Sequence, residues 1–496
     1  MRLLIFILIS WFTSLSIYGE NKTVVNVKFQ NAKNELVYVY APINNRFCFA
    51  TDTIHQIKND SVYQYNLNIS KTSFLNIYIE NRGVTIILLS PGDQSTLVYD
   101  FNQKSPYSFT GSNAPGQLLL NEWRGQANPY QYEWINDYTK VPLDTIPKKM
   151  EVNFRKIEKR DIARFDSLYS LKKISKSFHE FVATDIRLFY LSTLSRIARN
   201  AAGDTSIEAY YPYWSQLYKQ YPVKDMETGS TWFNYYSNLY IENYLPTQKK
   251  RQGITENRPT DQKEYYQQIY RLYKDWSQDK NLQEITLGYK LFDLAINNKT
   301  NSTDLIPFFD SFKKEFSKSA LCPVFDRFSQ QLLLMEEKIK KDFPPGVSFM
   351  DKREEMKTLK DITDRFKGKP VFIDFWFSTC GPCKDEFQYA KPLEEFLKKN
   401  QIELLYISID QDRMETNWKN SIKIFDLLGW HIRVPRDVQV DMDKNHGIYL
   451  YPNYMLIDKE GNILLKKAKK PSEKEELYQQ ISKALKIDSS TAPSDK

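Results

Sequence analysis

The sequence predicts a multidomain chain: an N-terminal antiparallel β domain, a central all-α region and a C-terminal α/β domain. Three observations carry this. Apolar residues recur with period two as far as Phe109, switch to spacings of three and four between Leu118 and Lys341, and alternate between both patterns after Val347. A chain of 496 residues fits about three domains of ordinary size. With 41% hydrophobic residues it can bury a sizeable core, and 4 cysteines are too few for a disulfide-scaffolded fold. The charge is +8, with 69 basic side chains scattered among 61 acidic ones, so no nucleic-acid partner is expected.

The first segment is Met1-Arg2 followed by an apolar run from Leu3 to Tyr18, short of the ~20 residues that span a bilayer. Small residues at Ser14, Ser16 and Gly19 complete the pattern of a secretory signal peptide over residues 1–19. The body of the protein is therefore expected in the periplasm or otherwise outside the cytoplasm. An uncleaved signal anchor, giving membrane contact, stays open as the alternative.

The β domain is predicted over residues 20–112. Val25, Val27 and Phe29 share one face, Leu75, Ile77 and Ile79 another, and Pro91-Gly92-Asp93 is a turn. The unbroken run Ile86 to Leu89 predicts a central strand covered on both faces. Residues 113–342 read as seven or eight helices, with breakers such as Leu245-Pro246 and Cys322-Pro323 between them. Nothing in that region looks catalytic.

Phe343-Pro344-Pro345-Gly346 leads into the third domain, residues 343–487. Strands are expected at Val371 to Trp376 and Ile402 to Ile409. A hairpin joins Met455–Ile457 to Ile463–Leu465. Helices are expected at Lys384 to Lys399, Asn417 to Leu428 and Ser472 to Leu485, the first with Phe387, Leu393, Phe396 and Leu397 inward. This pattern gives a central mixed sheet covered by helices. The polar tail 488–496 is expected to be disordered.

One motif concentrates the chemistry: Cys380-Gly381-Pro382-Cys383, between a strand and a helix. A sulfur at a helix start lies near unpaired N–H groups and the positive end of the dipole. That favours the thiolate and lowers the thiol pKa from about 8.5 towards about 7 or below. The second sulfur, one turn on, is placed to attack a mixed disulfide formed by the first. Pro382 removes an N–H that would be unpaired in the first turn anyway.

The segment Val371-Phe-Ile-Asp-Phe-Trp-Phe-Ser-Thr-Cys-Gly-Pro-Cys383 resembles the active-site segment of the thioredoxin superfamily. With the export signal, it is similar to the TlpA/ResA-like branch of extracytoplasmic thiol-disulfide oxidoreductases. Gly368-Lys369-Pro370 before the strand, Glu386 after the second cysteine and Tyr451-Pro452 before the Tyr454–Ile457 strand extend the match. The resemblance implies a thioredoxin-like fold and a cis bond at Pro452. It places the client-contacting surface around Trp376, Gly381, Pro382, Tyr451 and Pro452. Asn453, Thr379 and Gln388 replace the family's usual Thr, Trp and Pro, and these departures bear on that surface. The β domain resembles a module found ahead of TlpA-type domains, through Pro91-Gly92-Asp93 and Phe109-Thr-Gly-Ser112.

Cys380 is the expected nucleophile and Cys383 the resolving thiol. An acid in an apolar strand is costly unless it does something, so Asp374 is expected buried, with a raised pKa, taking the proton from Cys383. Two roles stay open for Glu386: the same proton transfer, or a favourable first-turn acid. Trp376 is expected to shield the sulfurs. A zinc site would need two more ligands, but Cys48 and Cys322 are isolated and His431 and His446 lack paired spacing. No metal or cofactor beyond the redox-active pair is expected. Cys48 and Cys322 read as buried free thiols, with a disulfide between them as the alternative.

Gly-Pro between the cysteines is the thioredoxin-like pattern. A dithiol near −270 mV and an oxidant near −120 mV differ by about 150 mV, roughly 7 kcal/mol for two electrons. The expected activity is reduction or isomerisation of client-protein disulfides, fed by a membrane electron donor. A thiol peroxidase would want Thr where Phe377 stands, three residues before Cys380. A non-enzymatic binding or assembly protein is the other alternative, and an intact dithiol beside a buried acid argues against it.

Overall fold

The computed structural model describes residues 22–43, 52–79, 82–138, 146–202, 207–254, 259, 261–297 and 303–487. The expected signal peptide, Cys48 with its pairing to Cys322, and the tail 488–496 lie outside the described residues. No helix among the described residues is long and apolar enough to cross a membrane. The chain folds as two compact units, one reaching Asp293 and including Asp304–Asp326, the other chiefly Arg327 onward.

The first unit opens with eight strands: β1 (Thr23–Gln30), β2 (Lys33–Tyr40), β3 (Asp52–Lys58), β4 (Val62–Leu67), β5 (Ser73–Ile79), β6 (Gly83–Leu89), β7 (Gln94–Asp100) and β8 (Tyr107–Gly111). They form two four-stranded sheets, ordered β4-β1-β7-β8 and β3-β2-β5-β6. Alternation decides which side chains meet: Val25, Val27 and Phe29 from one sheet pack with Val37, Leu75, Ile77 and Ile79 from the other. All pairings are antiparallel except β1 with β7, which run parallel. At the exit Gly111 has φ +87°, and a Cβ there would meet the Gln94 carbonyl oxygen at 2.2 Å, so only glycine fits.

The run Ile86 to Leu89 is covered on both faces, as expected, but β6 is an edge strand rather than a central one. One face joins the cluster between the sheets. The other places Ile86 and Leu88 with Phe74 against Leu120, Trp123, Phe178 and Phe181 of the helices. The free edge is closed by side-chain amides. Asn121 accepts from Ile86 N at 2.9 Å and donates to Ile86 O at 2.8 Å; Gln117 does the same for Leu88 at 3.0 and 2.5 Å. Two helical amides one turn apart thus satisfy backbone groups that a neighbouring strand would otherwise take.

Those amides sit on α1 (Ala114–Tyr138), followed by α2 (Ile146–Ser170), α3 (Lys176–Ala202), α4 (Ile207–Gln220), α5 (Phe233–Leu239) and α6 (Leu245–Arg251). Then come α7 (Gln262–Asp275), α8 (Lys280–Ile296), α9 (Ile306–Glu315) and α10 (Cys322–Lys340). The described residues hold more helical segments than the seven or eight expected. Leu245-Pro246 does not break the chain's course. A π turn over Tyr240–Tyr244, in which Leu245 N bonds Tyr240 O, joins α5 to α6 and absorbs the proline.

The second unit contains β9 (Val347–Phe349), α11 (Leu359–Thr363), β10 (Val371–Trp376), α12 (Gly381–Glu386), α13 (Ala390–Lys399), β11 (Glu403–Ser408) and α14 (Glu415–Phe425). It continues with β12 (Gly429–Arg433), α15 (Arg436–His446), β13 (Asn453–Ile457), β14 (Ile463–Leu465) and α16 (Glu475–Leu485). The six-stranded mixed sheet runs β14-β13-β10-β11-β12-β9. Phe372 and Trp376 of β10 face α12, α13 and α16, whereas Val371, Ile373 and Phe375 face α11 and α15. The single helix expected from Lys384 to Lys399 is two, joined by a 3-10 turn at Phe387–Tyr389. Pro392 has no N–H to offer Gln388 O, and its ring crowds that carbonyl, which favours a tighter turn at this point. Phe387, Leu393, Phe396 and Leu397 are nonetheless all buried.

Candidate redox site

Strand β10 is buried on both faces and ends at Trp376, and the loop 377–380 leads from it into α12. The connecting loop is pinned. Ser378 gives its N–H (2.7 Å) and its hydroxyl (2.8 Å) to the buried carboxylate of Asp410, which also accepts from the Ser408 hydroxyl at 2.7 Å. Cys380 N donates to Phe377 O at 2.9 Å. Cys380 is the N-cap of α12, and its sulfur accepts from Cys383 N at 3.2 Å. The sulfur therefore sits where unpaired N–H groups point, as the spacing required.

Cys380 and Cys383 form a disulfide, with Cα atoms 5.3 Å apart. Cys380 keeps 4% of its surface exposed and Cys383 none, so the first sulfur is the one open to attack. Beside it Pro382 is exposed, and a Cβ on Gly381 would meet nothing within 4 Å. The Tyr451–Pro452 bond is cis, and both residues are half-buried. Tyr451 packs edge-on against Phe377, ring centroids 5.7 Å apart. Tyr449 and Leu450, just before it, are exposed.

Asp374 lies on the same face of β10 as Phe372 and Trp376, which pack in the cluster that holds both sulfurs. It is buried, and its Oδ1 has no hydrogen-bond partner. Burial, reinforced by the nearby Glu386, holds its pKa well above the ordinary carboxylate value. Glu386 ends α12 and is also buried, but both its oxygens are engaged. Oε2 accepts from Ser472 N at 2.9 Å and Oε1 from the Ser472 hydroxyl at 3.0 Å. Burial raises its pKa, and the two Ser472 bonds pull it back.

Trp376 has no exposed surface and packs edge-on with Phe387 at 5.1 Å, in the cluster that holds both sulfurs, so it lies beneath the surface on which the resemblance placed it. Position in the strand explains this: period two turns residues 372, 374 and 376 inward together. Three residues escaped the sequence reading. Asp410 follows β11, Ser472 lies 86 residues from its partner Glu386, and Phe377 was noted only as an obstacle to peroxidase chemistry. Ser408-Ile-Asp410 after a buried strand was the one available signal. Farther along the same face, His431 is buried and stacked on Tyr406 at 4.8 Å, and burial pushes its pKa down to about 3. Cys322 is a half-buried free thiol at the start of α10.

A disulfide at a helix N-terminus, a cis-proline at the head of the neighbouring strand β13 and a buried acid on β10, on a sheet covered by helices, define a thioredoxin-class redox domain. The Redoxin family profile matches residues 340–481. The thiol-disulfide oxidoreductase ResA of Bacillus thuringiensis subsp. konkukian is 33% identical over 118 residues, 24% of this chain and 65% of the relative. ResA of Bacillus subtilis is 26% identical over 98 residues, 20% of this chain and 52% of the relative. The chain thus spans somewhat less than two thirds of the relatives it matches. Among solved structures, the thioredoxin domain of a thiol-disulfide oxidoreductase from Bacteroides vulgatus is 28% identical, covering 24% of this chain and 81% of that one, with a TM-score of 0.22. A thiol:disulfide interchange protein from Bacteroides sp. is 29% identical, covering 25% and 76%, with a TM-score of 0.22. Residues 340–481 thus match the Redoxin profile and are similar to ResA-type thiol-disulfide oxidoreductases.

Proposed function

We propose that this chain is an extracytoplasmic thiol-disulfide oxidoreductase that reduces or isomerises disulfides of client proteins. The observation that carries the reading is the Cys380–Cys383 disulfide at the start of α12, on the sheet face where Asp374 is buried. The apolar run after Met1-Arg2 supports a site outside the cytoplasm. Electrons come from a dithiol donor in the membrane, because a dithiol near −270 mV stays oxidised in such a compartment without one.

In the reduced protein the Cys380 thiolate attacks a client disulfide, forming a mixed disulfide and releasing one client thiolate. Cys383 then passes its proton to the Asp374 carboxylate, and its sulfur attacks Cys380 Sγ. The Cys380–Cys383 bond forms, the second client thiolate leaves, and the client has gained two electrons. The donor later returns two electrons, and Asp374 gives its proton back to Cys383. Gly381, Pro382, Tyr451 and Pro452 form the surface against which the client lies.

The test is trapping on insulin. Cys383→Ser cannot resolve, so it should accumulate a covalent insulin complex on non-reducing gels. The complex should vanish when Cys380→Ser is added; its persistence in the double variant overturns the assignment of roles.

A further inference from the structure

Two buried carboxyls near one another cannot both ionise cheaply, so something must decide which one carries the charge. Here the surroundings are unequal. Glu386 has a donor on each oxygen, both from Ser472 in the turn before α16. Asp374 has an Oδ1 with no partner. Hydrogen bonds to the charged form favour it. We propose that Ser472 is a positioning residue of the redox site: it holds Glu386 as the carboxylate and so sets the pH at which Asp374 gives up its proton and can take the one from Cys383.

This rests on the redox reading above and adds a residue to it. The other titratable groups facing the pair do not reverse the choice. Tyr406 and Tyr454 stand opposite Asp374 on the neighbouring strands, and burial with the nearby acids keeps both phenols well above their ordinary value, hence neutral. Lys470 acts on Glu386 in the same sense as Ser472, and Asp385 in the opposite sense. The linkage is specific. Losing the Ser472 hydroxyl weakens the charged form of Glu386, its repulsion of an ionised Asp374 declines, and Asp374 gives up its proton at lower pH.

The experiment uses the full chain, with Cys380 carrying a thionitrobenzoate mixed disulfide; release of the yellow thiolate reports attack by Cys383 across a pH series. Asp374→Asn should remove the titration assigned to the acid. Ser472→Ala should move the midpoint down by about half a pH unit, and Ser472→Thr should restore it. Glu386→Gln, which keeps partners for Ser472 but no charge, should move it at least as far, and adding Ser472→Ala to it should change nothing more. A Ser472→Ala profile that superimposes on the wild type, or an equal shift in the Glu386→Gln background, overturns the inference while leaving the redox reading intact. An unchanged profile in Asp374→Asn removes the proton-transfer role of Asp374, and this inference with it.

Discussion

Two buried aspartates flank the entry to α12, and they are treated in opposite ways. Asp410, after β11, takes the Ser378 N–H and the hydroxyls of Ser378 and Ser408. Asp374, in β10, keeps an oxygen that nothing bonds. The first spends its acceptors on holding the loop ahead of Cys380 in place. The second is left poorly solvated, which favours its protonated form. Burial alone does not make a proton carrier; the donors around Asp410 commit it to holding the loop.

Asp374→Asn breaks the comparison most sharply. Turnover at neutral pH should fall about 10²-fold, the usual scale of a lost acid or base, measured by insulin reduction. Stability should move the other way. The folded-state pKa of Asp374 lies above the unfolded value of about 3.9, so its contribution is whole below that value and drains as pH rises towards the raised folded value. The variant should therefore melt higher than the wild type at pH 8, with the gain shrinking towards pH 4.

Asp410→Ala should do the reverse, losing about 2–3 kcal/mol because a buried N–H and two hydroxyls are stranded. Urea titration should show a lower midpoint at unchanged slope, and Asp410→Asn, which keeps one acceptor, should lose less. His431 gives the smallest effect near neutrality. Its folded pKa of about 3 lies below the unfolded 6.5, so its contribution is whole above that value and lost as pH falls towards 3. His431→Phe should flatten that part of the acid melting curve.

The same contrast explains what was legible in the sequence. Cys380-x-x-Cys383 and Asp374 were readable because their meaning is local: a spacing at a helix start, and an acid in an apolar strand. Asp410 and Ser472 were not, because their work is done on partners 32 and 86 residues away. Strand β6 misled for a related reason. A run covered on both faces reads as central, yet its edge is closed by Gln117 and Asn121, polar residues on a helix that no strand pattern reveals. Pro246 and Pro392 show local signals outweighed or sharpened by context. A π turn carries the helix past one, and a 3-10 turn divides the helix at the other.

One assay bears most directly on the central claim that the disulfide at the head of α12 passes electrons to client proteins. Insulin is reduced by dithiothreitol in the presence of the full chain or of its Cys380→Ser variant. The wild type should precipitate insulin well ahead of the uncatalysed reaction, and the variant should not exceed it. Indistinguishable rates for the two proteins would contradict the account and leave the domain as a binding module.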